Sequence, residues 1–225
     1  MKFLTIITAF TLTFASTTLS ATEFYFIRHG QSESNANRAA VGGEHPWVEL
    51  TEKGKDQARA LGAHLKGTEF DAYYTSDTVR TMQTLRYFCE GQDVKHLRFT
   101  RDHRVTEKSH GDWEGKLKKE VFTPEVLALK TKWDFKSGDK IKGDSAKEVT
   151  KRMTNWVKET AKKHPNERII VFSHGYAIRC LATSALNLNW EAHQATTVGN
   201  TSVTVINSDG DQISCSKAYD SSHLN

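Results

Sequence analysis

The sequence predicts an α/β fold: a three-layer α/β/α sandwich around a mostly parallel central sheet. Short apolar runs alternate along the chain with amphipathic helical patterns, an order typical of strands covered on both faces by helices. The 225 residues are 37% hydrophobic and 26% charged, which is an ordinary globular composition with enough length for one substantial core. We therefore expect a single domain over residues 22–225.

Three apolar or aromatic runs without clean alternation predict strands that are buried on both faces. They are residues 24–27, 72–75 and 169–172. Near the end of the chain, two further runs flank an Asp209-Gly210 turn and predict a hairpin at an edge of the sheet. These two runs are residues 202–206 and 212–216.

Capping signals predict where the helices between the strands begin. Gly54 weakens the first helix by about 1 kcal/mol relative to alanine. The last of these helices is predicted to end before Pro165. The predicted helix starts are Thr51, either Ser76 or Asp77, and a capping box formed by Ser145 and Glu148.

The first 21 residues are typical of a secretory signal peptide. Lys2 precedes an apolar, threonine-rich run at residues 3–14, and small residues follow at 18–21. The run is shorter than the roughly 20 apolar residues that span a membrane, so we expect no stable membrane anchor. Cleavage after Ser20 and cleavage after Ala21 both remain open. We expect the mature protein to be secreted or periplasmic.

Charge and cysteine content narrow the class of partner. The net charge is +4, with lysines and arginines spread along the chain, which supports a small acidic ligand better than a nucleic acid. In an exported protein the three cysteines allow at most one disulfide. Cys180 lies in an apolar helical pattern and is predicted to be a buried thiol. Pairing of Cys89 with Cys215 remains open.

Two predicted strands end in the same way. Residues 24–27 run into Arg28-His29-Gly30, and residues 169–172 run into Ser173-His174-Gly175. Open α/β sheets bind ligands outside the carboxyl ends of their strands, so we expect the two histidines to share a site. Arg28 needs an anionic partner there, and a phosphate accepts both of its hydrogen bonds. Six other histidines are expected to be structural or surface residues: His45, His64, His96, His164, His193 and His223.

The segment from Arg28 through Asn35 resembles the signature of the histidine phosphatase superfamily, which includes cofactor-dependent phosphoglycerate mutases and many small phosphatases. The resemblance covers nearly the whole mature chain and implies a phosphoglycerate mutase-like fold. It also implies hydrolysis of small phosphate monoesters through a phosphohistidine, without a metal or other cofactor. Four further segments match in order: residues 50–58, residues 76–84 around Arg80, Glu107 through Gly115, and residues 173–175.

The resemblance also implies a role for each site residue. An imidazole with a reference pKa near 6.5 is mostly neutral at pH 7, and a neighbouring cation favours the neutral, nucleophilic form further. Positive groups around the phosphoryl oxygens stabilise the charge of the transition state. The implied roles are nucleophile for His29, general acid for Glu107, catalytic and phosphate-binding residue for His174, and phosphate-binding residue for Arg28, Asn35 and Arg80. Glu33, Asp112 and Glu114 are weaker candidates for the acid.

Some positions depart from the family pattern and leave substrate preference open. They are Gln31, Thr81 and His110, and we consider that His110 faces the leaving group. Lysines between the proposed acid and the second histidine are usually a solvated face, and the alternative is contact with a substrate that carries several anionic groups. These lysines are Lys116, Lys118, Lys119, Lys140 and Lys142.

Three alternatives to a phosphatase remain. One is a phosphoglycerate mutase-type phosphotransferase, and another is a non-catalytic phosphate-binding module of the same fold. The third is a metal protein with His29, His174 and Glu107 as ligands, which is disfavoured because Arg28 and Arg80 would repel a cation. The natural substrate and the oligomeric state cannot be inferred from these residues.

Overall fold

The computed structural model of the chain describes residues 21–37, 40–43, 45–95 and 97–225. Apart from Ala21, the predicted signal peptide lies outside these residues. The strands in the described part are β1 (Thr22–Arg28), β2 (Ala72–Thr75), β3 (Thr100–Arg101), β4 (Arg168–Ser173), β5 (Val203–Ser208) and β6 (Ile213–Asp220). The helices there are α1 (Glu33–Ala36), α2 (Glu52–His64), α3 (Val79–Gln92), α4 (Lys118–Val121), α5 (Pro124–Leu129), α6 (Ala146–Lys163), α7 (Gly175–Ala185) and α8 (Trp190–Ala195).

The strands form one sheet in the order β3-β2-β4-β1-β5-β6. The first four strands are parallel, whereas β5 and β6 form an antiparallel hairpin at one edge. A mostly parallel sheet and an edge hairpin are therefore confirmed. Strands β1 and β4 are neighbours, and Arg28 pairs with Ser173. Two histidines follow these strands, His29 after β1 and His174 after β4. The register places both beyond the carboxyl ends of the strands, at the same end of the sheet.

Helices cover both faces of the sheet, which confirms the three-layer prediction. Along β4, Ile169 and Val171 face the core cluster that includes α6 and α7, while Ile170 and Phe172 face the cluster that includes α2 and α3. All four side chains are fully buried. Each contributes about 1.5–3 kcal/mol to stability through burial, so β4 is anchored from both sides.

Two of the predicted helix starts are confirmed and one is wrong. The Thr51 side chain accepts from the Gly54 N–H, and Ser145 with Glu148 forms the capping box of α6. Helix α3 has its N-cap at Thr78 instead of Ser76 or Asp77. The physical reason lies in Ser76, whose buried hydroxyl is bonded to a distant histidine and is not available to cap the helix.

Gly54 has a packing role that explains its place in the first turn of α2. A Cβ at Gly54 would clash with the Gln31 backbone, and a Cβ at Gly30 would clash with the Gly54 carbonyl oxygen. Two glycines therefore allow the turn after β1 to lie against the start of α2. The cost in helix propensity is offset because this contact fixes the backbone that follows His29.

A third, smaller hydrophobic cluster lies apart from the two faces of the sheet. Val41, Trp113 and Val121 form its centre, and Phe122 and Phe135 pack against it. Backbone hydrogen bonds join the strand-like segment at residue 41 to residues 115 and 116 at 2.9 and 2.8 Å. This cluster holds together the loops that surround the carboxyl ends of the strands.

The described residues include all three cysteines. Cys89, Cys180 and Cys215 are all free thiols, so the open pairing of Cys89 with Cys215 is not formed. Cys180 is buried in the core, as predicted, and burial raises its pKa to about 12. No helix within residues 21–37, 40–43, 45–95 and 97–225 is long and apolar enough to cross a membrane.

Candidate active site

His29 follows β1 directly, and its backbone N–H donates to the Ser173 carbonyl at 3.0 Å. Its side chain is 4% exposed, and Nδ1 donates to the Gly30 carbonyl at 2.7 Å. Since a carbonyl can only accept, the proton of the neutral ring is on Nδ1 and the Nε2 lone pair is free. Burial, then the charges of Arg80 and Arg28, hold the pKa of His29 well below 6.5. The ring is therefore in its nucleophilic form at pH 7.

His174 follows β4 and lies beside His29, with 5.2 Å between the ring centroids. Arg80 Nη2 donates to its Nδ1 at 3.1 Å, and Nε2 lies 2.8 Å from Ser76 Oγ. Because arginine can only donate, the proton of the neutral ring is on Nε2 and is given to Ser76. Burial, then the charge of Arg80, hold the pKa of His174 well below 6.5. Both ring nitrogens are thus occupied, and contact with phosphoryl oxygens stays a prediction.

Three buried hydroxyl groups, those of Ser76, Thr78 and Thr81, form a cluster next to Nε2 of His174. Ser76 Oγ lies 2.9 Å from Thr81 Oγ1 and 3.2 Å from Thr78 Oγ1. Ser76 accepts from His174, so its own proton is directed to one of the two threonines. Sequence reasoning missed this group, because Ser76 was assigned only as a possible helix start and as part of the family match around Arg80, and Thr81 only as a departure from the family pattern.

Arg80 is 3% exposed and reaches the site from the first turn of α3. Its two terminal nitrogens donate to the carbonyls of His45 at 2.8 Å and Gly43 at 2.5 Å. Thr84 lies one turn further along and donates to the Arg80 carbonyl at 2.7 Å, while it accepts from the Gly30 N–H at 3.0 Å. The helix and the turn after β1 are therefore fixed to each other, which sets the position of the guanidinium relative to the imidazole.

Arg28 and Asn35 form the opposite side of the site. Arg28 donates through Nη1 to the Val198 carbonyl at 2.6 Å and through Nη2 to Asn35 Oδ1 at 3.3 Å. Asn200 Nδ2 donates to the same oxygen at 3.0 Å and to the His29 carbonyl at 3.0 Å. These donors occupy Oδ1 and leave the Asn35 amide nitrogen as the group that can donate to an anion. In the sequence, residues 199–201 resemble the family pattern only weakly. The structure gives Asn200 this positioning contact.

Glu107 is fixed at the N-terminus of α7. Its carboxyl accepts from the backbone N–H groups of Tyr176 at 3.1 Å, Ala177 at 3.0 Å and Lys108 at 3.0 Å. Three donors from two segments hold the side chain in one orientation. The group therefore lies at a defined place on the wall of the site, as a general acid requires.

The weaker candidates for the acid have other positions. Asp112 accepts from the backbone N–H groups of Asp139 at 2.7 Å and Lys140 at 3.1 Å and so orders a loop. Glu114 accepts from a backbone N–H at 3.0 Å, and Glu33 is exposed on α1. Among the carboxyl groups in the described part of the chain, Glu107 alone lines the cavity beside His29.

A polar cavity of about 170 Å³ is lined by Arg28, His29, Asn35, Arg80 and Glu107 but not by the fully buried His174, and we call it the phosphate pocket. A phosphoryl group fits within this volume. Cations and hydrogen-bond donors line it on several sides, as an anion requires. The lining residues are Arg28, His29, Ser34, Asn35, Ala40, Gly42, Gly43, His45, Val48, Arg80, Glu107, Lys108, His110, Lys118 and Tyr176.

The five lysines singled out in the sequence do not act together. Lys118 lines the phosphate pocket. Lys116 pairs with Asp139 at 3.3 Å, and Lys142 donates to a carbonyl of its own loop. The remaining two, Lys119 and Lys140, are exposed. The hypothesis that this run as a whole contacts substrate is therefore replaced by one contributing residue.

The metal alternative can be compared with the geometry of its proposed ligands. Arg80 donates to one ring nitrogen of His174, and the other nitrogen donates to Ser76. Within the described residues there is no group of three or more His, Cys, Asp or Glu side chains that could hold a metal ion. The arrangement suits an anion instead, because Arg28 and Arg80 line the same cavity and would repel a cation.

Comparison with known proteins agrees with this geometry. The model of the histidine phosphatase superfamily (branch 1) matches residues 24–221. Phosphoserine phosphatase 1 of Hydrogenobacter thermophilus is 29% identical over 185 residues, 80% of this chain and 83% of that protein. A 2,3-bisphosphoglycerate-dependent phosphoglycerate mutase of Methylorubrum populi is 32% identical over 162 residues, 68% of this chain and 74% of that protein. The solved structure of Bacillus stearothermophilus YhfR is 27% identical, with a TM-score of 0.78, and the match covers 91% of this chain and all of that one.

Proposed function

Because the chain belongs to the histidine phosphatase superfamily, we propose that it is a phosphatase that hydrolyses phosphate monoesters through a phosphohistidine at His29. One observation carries the proposal: Nε2 of a neutral His29 has no hydrogen-bond partner among the described residues and belongs to a pocket lined by cations. A lone pair aimed at an anion site is what nucleophilic attack on phosphorus requires. Relatives named as phosphatases and as mutases support the same chemistry.

The first half of the reaction forms the phosphoenzyme. His29 Nε2 attacks phosphorus as the bond between phosphorus and the ester oxygen breaks. The ring proton stays on Nδ1, hydrogen-bonded to the Gly30 carbonyl. Glu107 gives its proton to the leaving oxygen, which departs as the alcohol. Arg28, Arg80 and the amide nitrogen of Asn35 bind the equatorial oxygens, where the charge of the transition state is spread.

The second half returns the enzyme to its starting state. Glu107, now a carboxylate, takes a proton from water, and the resulting hydroxide attacks phosphorus as the bond to His29 Nε2 breaks. The products are inorganic phosphate, neutral His29 and protonated Glu107. Every proton and electron pair is accounted for by these two side chains and one water.

The experiment that tests the proposal is trapping of the phosphoenzyme. Rapid acid-free quenching during hydrolysis of 4-nitrophenyl phosphate is expected to give a protein adduct that is labile in acid and stable in base, assigned to His29 by mass spectrometry. A His29→Ala protein of unchanged circular dichroism serves as the control and is expected to carry no adduct. An acid-stable, alkali-labile adduct would place the phosphate on a hydroxyl group and refute the proposal.

The role of Glu107 is tested through the leaving group. Glu107→Gln keeps the shape of the side chain and removes its proton, so poor leaving groups should lose about 10²–10⁴-fold in kcat/KM. 4-Nitrophenolate leaves without a proton, and its ester should lose far less. Equal losses for an alkyl and an aryl phosphate would remove Glu107 from the acid role.

A mutase is the second candidate, and the 32% identity to a phosphoglycerate mutase favours considering it. The two candidates differ only in what accepts the phosphoryl group from His29, water or a second alcohol. Partition of ³²P from the trapped phosphoenzyme between inorganic phosphate and added alcohols separates them. We propose water as the acceptor, since an exported enzyme would not meet the phosphorylated intermediates of the cell interior.

Export itself rests on residues 1–21 and is part of the proposal. The predicted signal peptide is expected to be removed, which leaves the mature chain in the periplasm or outside the cell. Amino-terminal sequencing of the protein from a fractionated culture tests this, with cleavage after Ser20 or Ala21 as the expected result. Recovery of the intact amino terminus in the cytosolic fraction would contradict it.

A further inference from the structure

A second, larger cavity lies beside the phosphate pocket. This cavity measures about 370 Å³ against about 170 Å³ for the pocket beside His29. Lys108, His110 and Tyr176 belong to the walls of both, so the two spaces share a boundary. The second cavity is therefore the neighbouring space for the alcohol portion of a substrate whose phosphate is bound beside His29.

The second cavity is positively charged. Its cations are Lys108, Lys130, Lys132 and Arg179, and no Asp or Glu occurs among the described residues that line it. No described carboxylate forms an ion pair with any of these four side chains. We call this cavity the basic chamber. Arg179 donates to the Thr196 carbonyl, and Lys130 lies over the Phe122 ring. A cluster of cations without a described carboxylate partner favours an anionic ligand.

Lys108, in the wall of the basic chamber, is unusual among lysines because it is buried. The residue is 6% exposed. Its ammonium group lies 5.1 Å from the centre of the Tyr176 ring and 5.9 Å from the centre of the Phe135 ring. Buried lysines are normally paired with a carboxylate. Here the aromatic faces offer partial compensation, and an incoming anion would supply the rest.

A second polar group in the wall also lacks a partner. His193 is fully buried, and its Nδ1 is bonded to Thr183 Oγ1 at 2.9 Å, whereas Nε2 has no hydrogen-bond partner in the described part of the chain. Trp190 stacks on its ring at 4.6 Å between centroids and fixes the ring plane. The sequence predicted a structural or surface role for this histidine. A buried ring bonded to Thr183 agrees with a structural role, and the residue also belongs to the wall of the basic chamber.

We propose that the basic chamber binds the alcohol portion of the substrate through a second anionic group, either a carboxylate or another phosphate. The proposal rests on the proposed function and deepens it. It assigns substrate selection to side chains from α5, α7, α8 and the loop after Glu107. Lys130 and Arg179 belong to the wall of the basic chamber and not to that of the phosphate pocket, so we expect them to distinguish substrates by their alcohol portion.

Three synthetic esters with the same three-carbon chain test the proposal. They are 3-hydroxypropyl phosphate, 3-(phosphonooxy)propanoate and propane-1,3-diyl bisphosphate, which end in a hydroxyl, a carboxylate and a phosphate. A charged hydrogen bond typically contributes enough for kcat/KM of the two charged esters to exceed that of the neutral one by about tenfold or more. Whichever charged ester has the higher value identifies the anion that the chamber prefers.

Variants locate the effect. Lys130→Met is expected to reduce the ratio of charged to neutral kcat/KM by about tenfold, and Lys108→Met should act in the same direction. Lys140→Met is the matched control, because Lys140 is exposed and lines neither cavity. It should leave the ratio unchanged. An unchanged ratio in the Lys130→Met protein, or a ratio near one in the native protein, would overturn the proposal.

Binding measurements separate this proposal from the proposed function. Calorimetric titration of the His29→Ala protein with the same three esters gives the ratio of Kd values without any turnover. Preference for the charged esters that Lys130→Met removes supports the basic chamber even if no ester is hydrolysed. Equal affinities for all three esters would refute it even if the enzyme is active.

Discussion

The carboxyl ends of β1 and β4 can be compared directly, because both strands are followed by histidine and glycine. Each strand is buried, each runs into a histidine followed by glycine, and Arg28 pairs with Ser173 across the two. The rings that follow have different hydrogen bonds. His29 uses one nitrogen on the Gly30 carbonyl and keeps Nε2 free, whereas His174 has one nitrogen bonded to Arg80 and the other to Ser76.

The difference shows that a short motif does not assign a chemical role. Both rings are buried and neutral at pH 7, so protonation does not distinguish them. Their partners do. A ring with a free nitrogen can attack phosphorus, while a ring with two bonded nitrogens can orient the guanidinium of Arg80.

The largest expected effect separates the two rings directly. His29→Asn should lower kcat by about a millionfold, because the nucleophile itself is lost. His174→Asn should lower kcat by about 10²–10³-fold, because the site loses the orientation of one charged donor. Single-turnover kinetics with 4-nitrophenyl phosphate measures both. Equal losses, or a phosphoenzyme in the His29→Asn protein, would contradict the division of roles.

A smaller effect sharpens the role of the hydroxyl groups behind His174. Ser76→Ala removes the acceptor of its Nε2 proton, and an unsatisfied buried donor should lower kcat by about tenfold, with KM nearly constant. Ser76→Thr is expected to restore part of the loss. Thr81→Ala is the comparison, since it keeps the Ser76 hydroxyl, and its effect should be smaller. A greater loss in Thr81→Ala than in Ser76→Ala would show that the proton is not directed as described.

The smallest effect is on stability, and it concerns the buried neutral histidines. Burial lowers the pKa of His110 to about 3 and that of His193 to about 4, below the value near 6.5 in an unfolded chain. The unfolded state therefore binds more protons below pH 6.5. The free energy of unfolding should therefore decrease as the pH is lowered from 6.5 to 4, by about 1.4 kcal/mol per pH unit for each such histidine.

Urea denaturation at pH 7.5, 6.0 and 5.0 measures this slope. His193→Asn should make it shallower, because one of the groups that must be buried neutral is gone. His45→Asn provides the matched control, since His45 is exposed and its replacement should leave the slope as it is. A slope that does not change in His193→Asn would show that folding does not lower the pKa of this ring.

Much of the fold follows from local sequence, and the reason is that its signals are local. The apolar run at residues 169–172 fits a strand with helices on both faces, and the Ser145–Glu148 capping box marks the start of α6 because both partners lie within one turn. The family match then indicated His29, Arg80 and Glu107 together. The start of α3 was misplaced because Ser76 bonds to His174, a residue 98 positions away.

What the sequence determined by itself is the set of elements and the identity of the reactive groups, since helix caps, buried strands and strand-end motifs are encoded over a few residues. Only the tertiary structure decided that both ring nitrogens of His174 are bonded while Nε2 of His29 stays free, because the partners of His174, Arg80 and Ser76, come from a distant part of the chain. The basic chamber likewise exists only after folding. Lys108, Lys130 and Arg179 are separated along the chain, and their charges become a site when α5, α7 and the loop after Glu107 pack around one space.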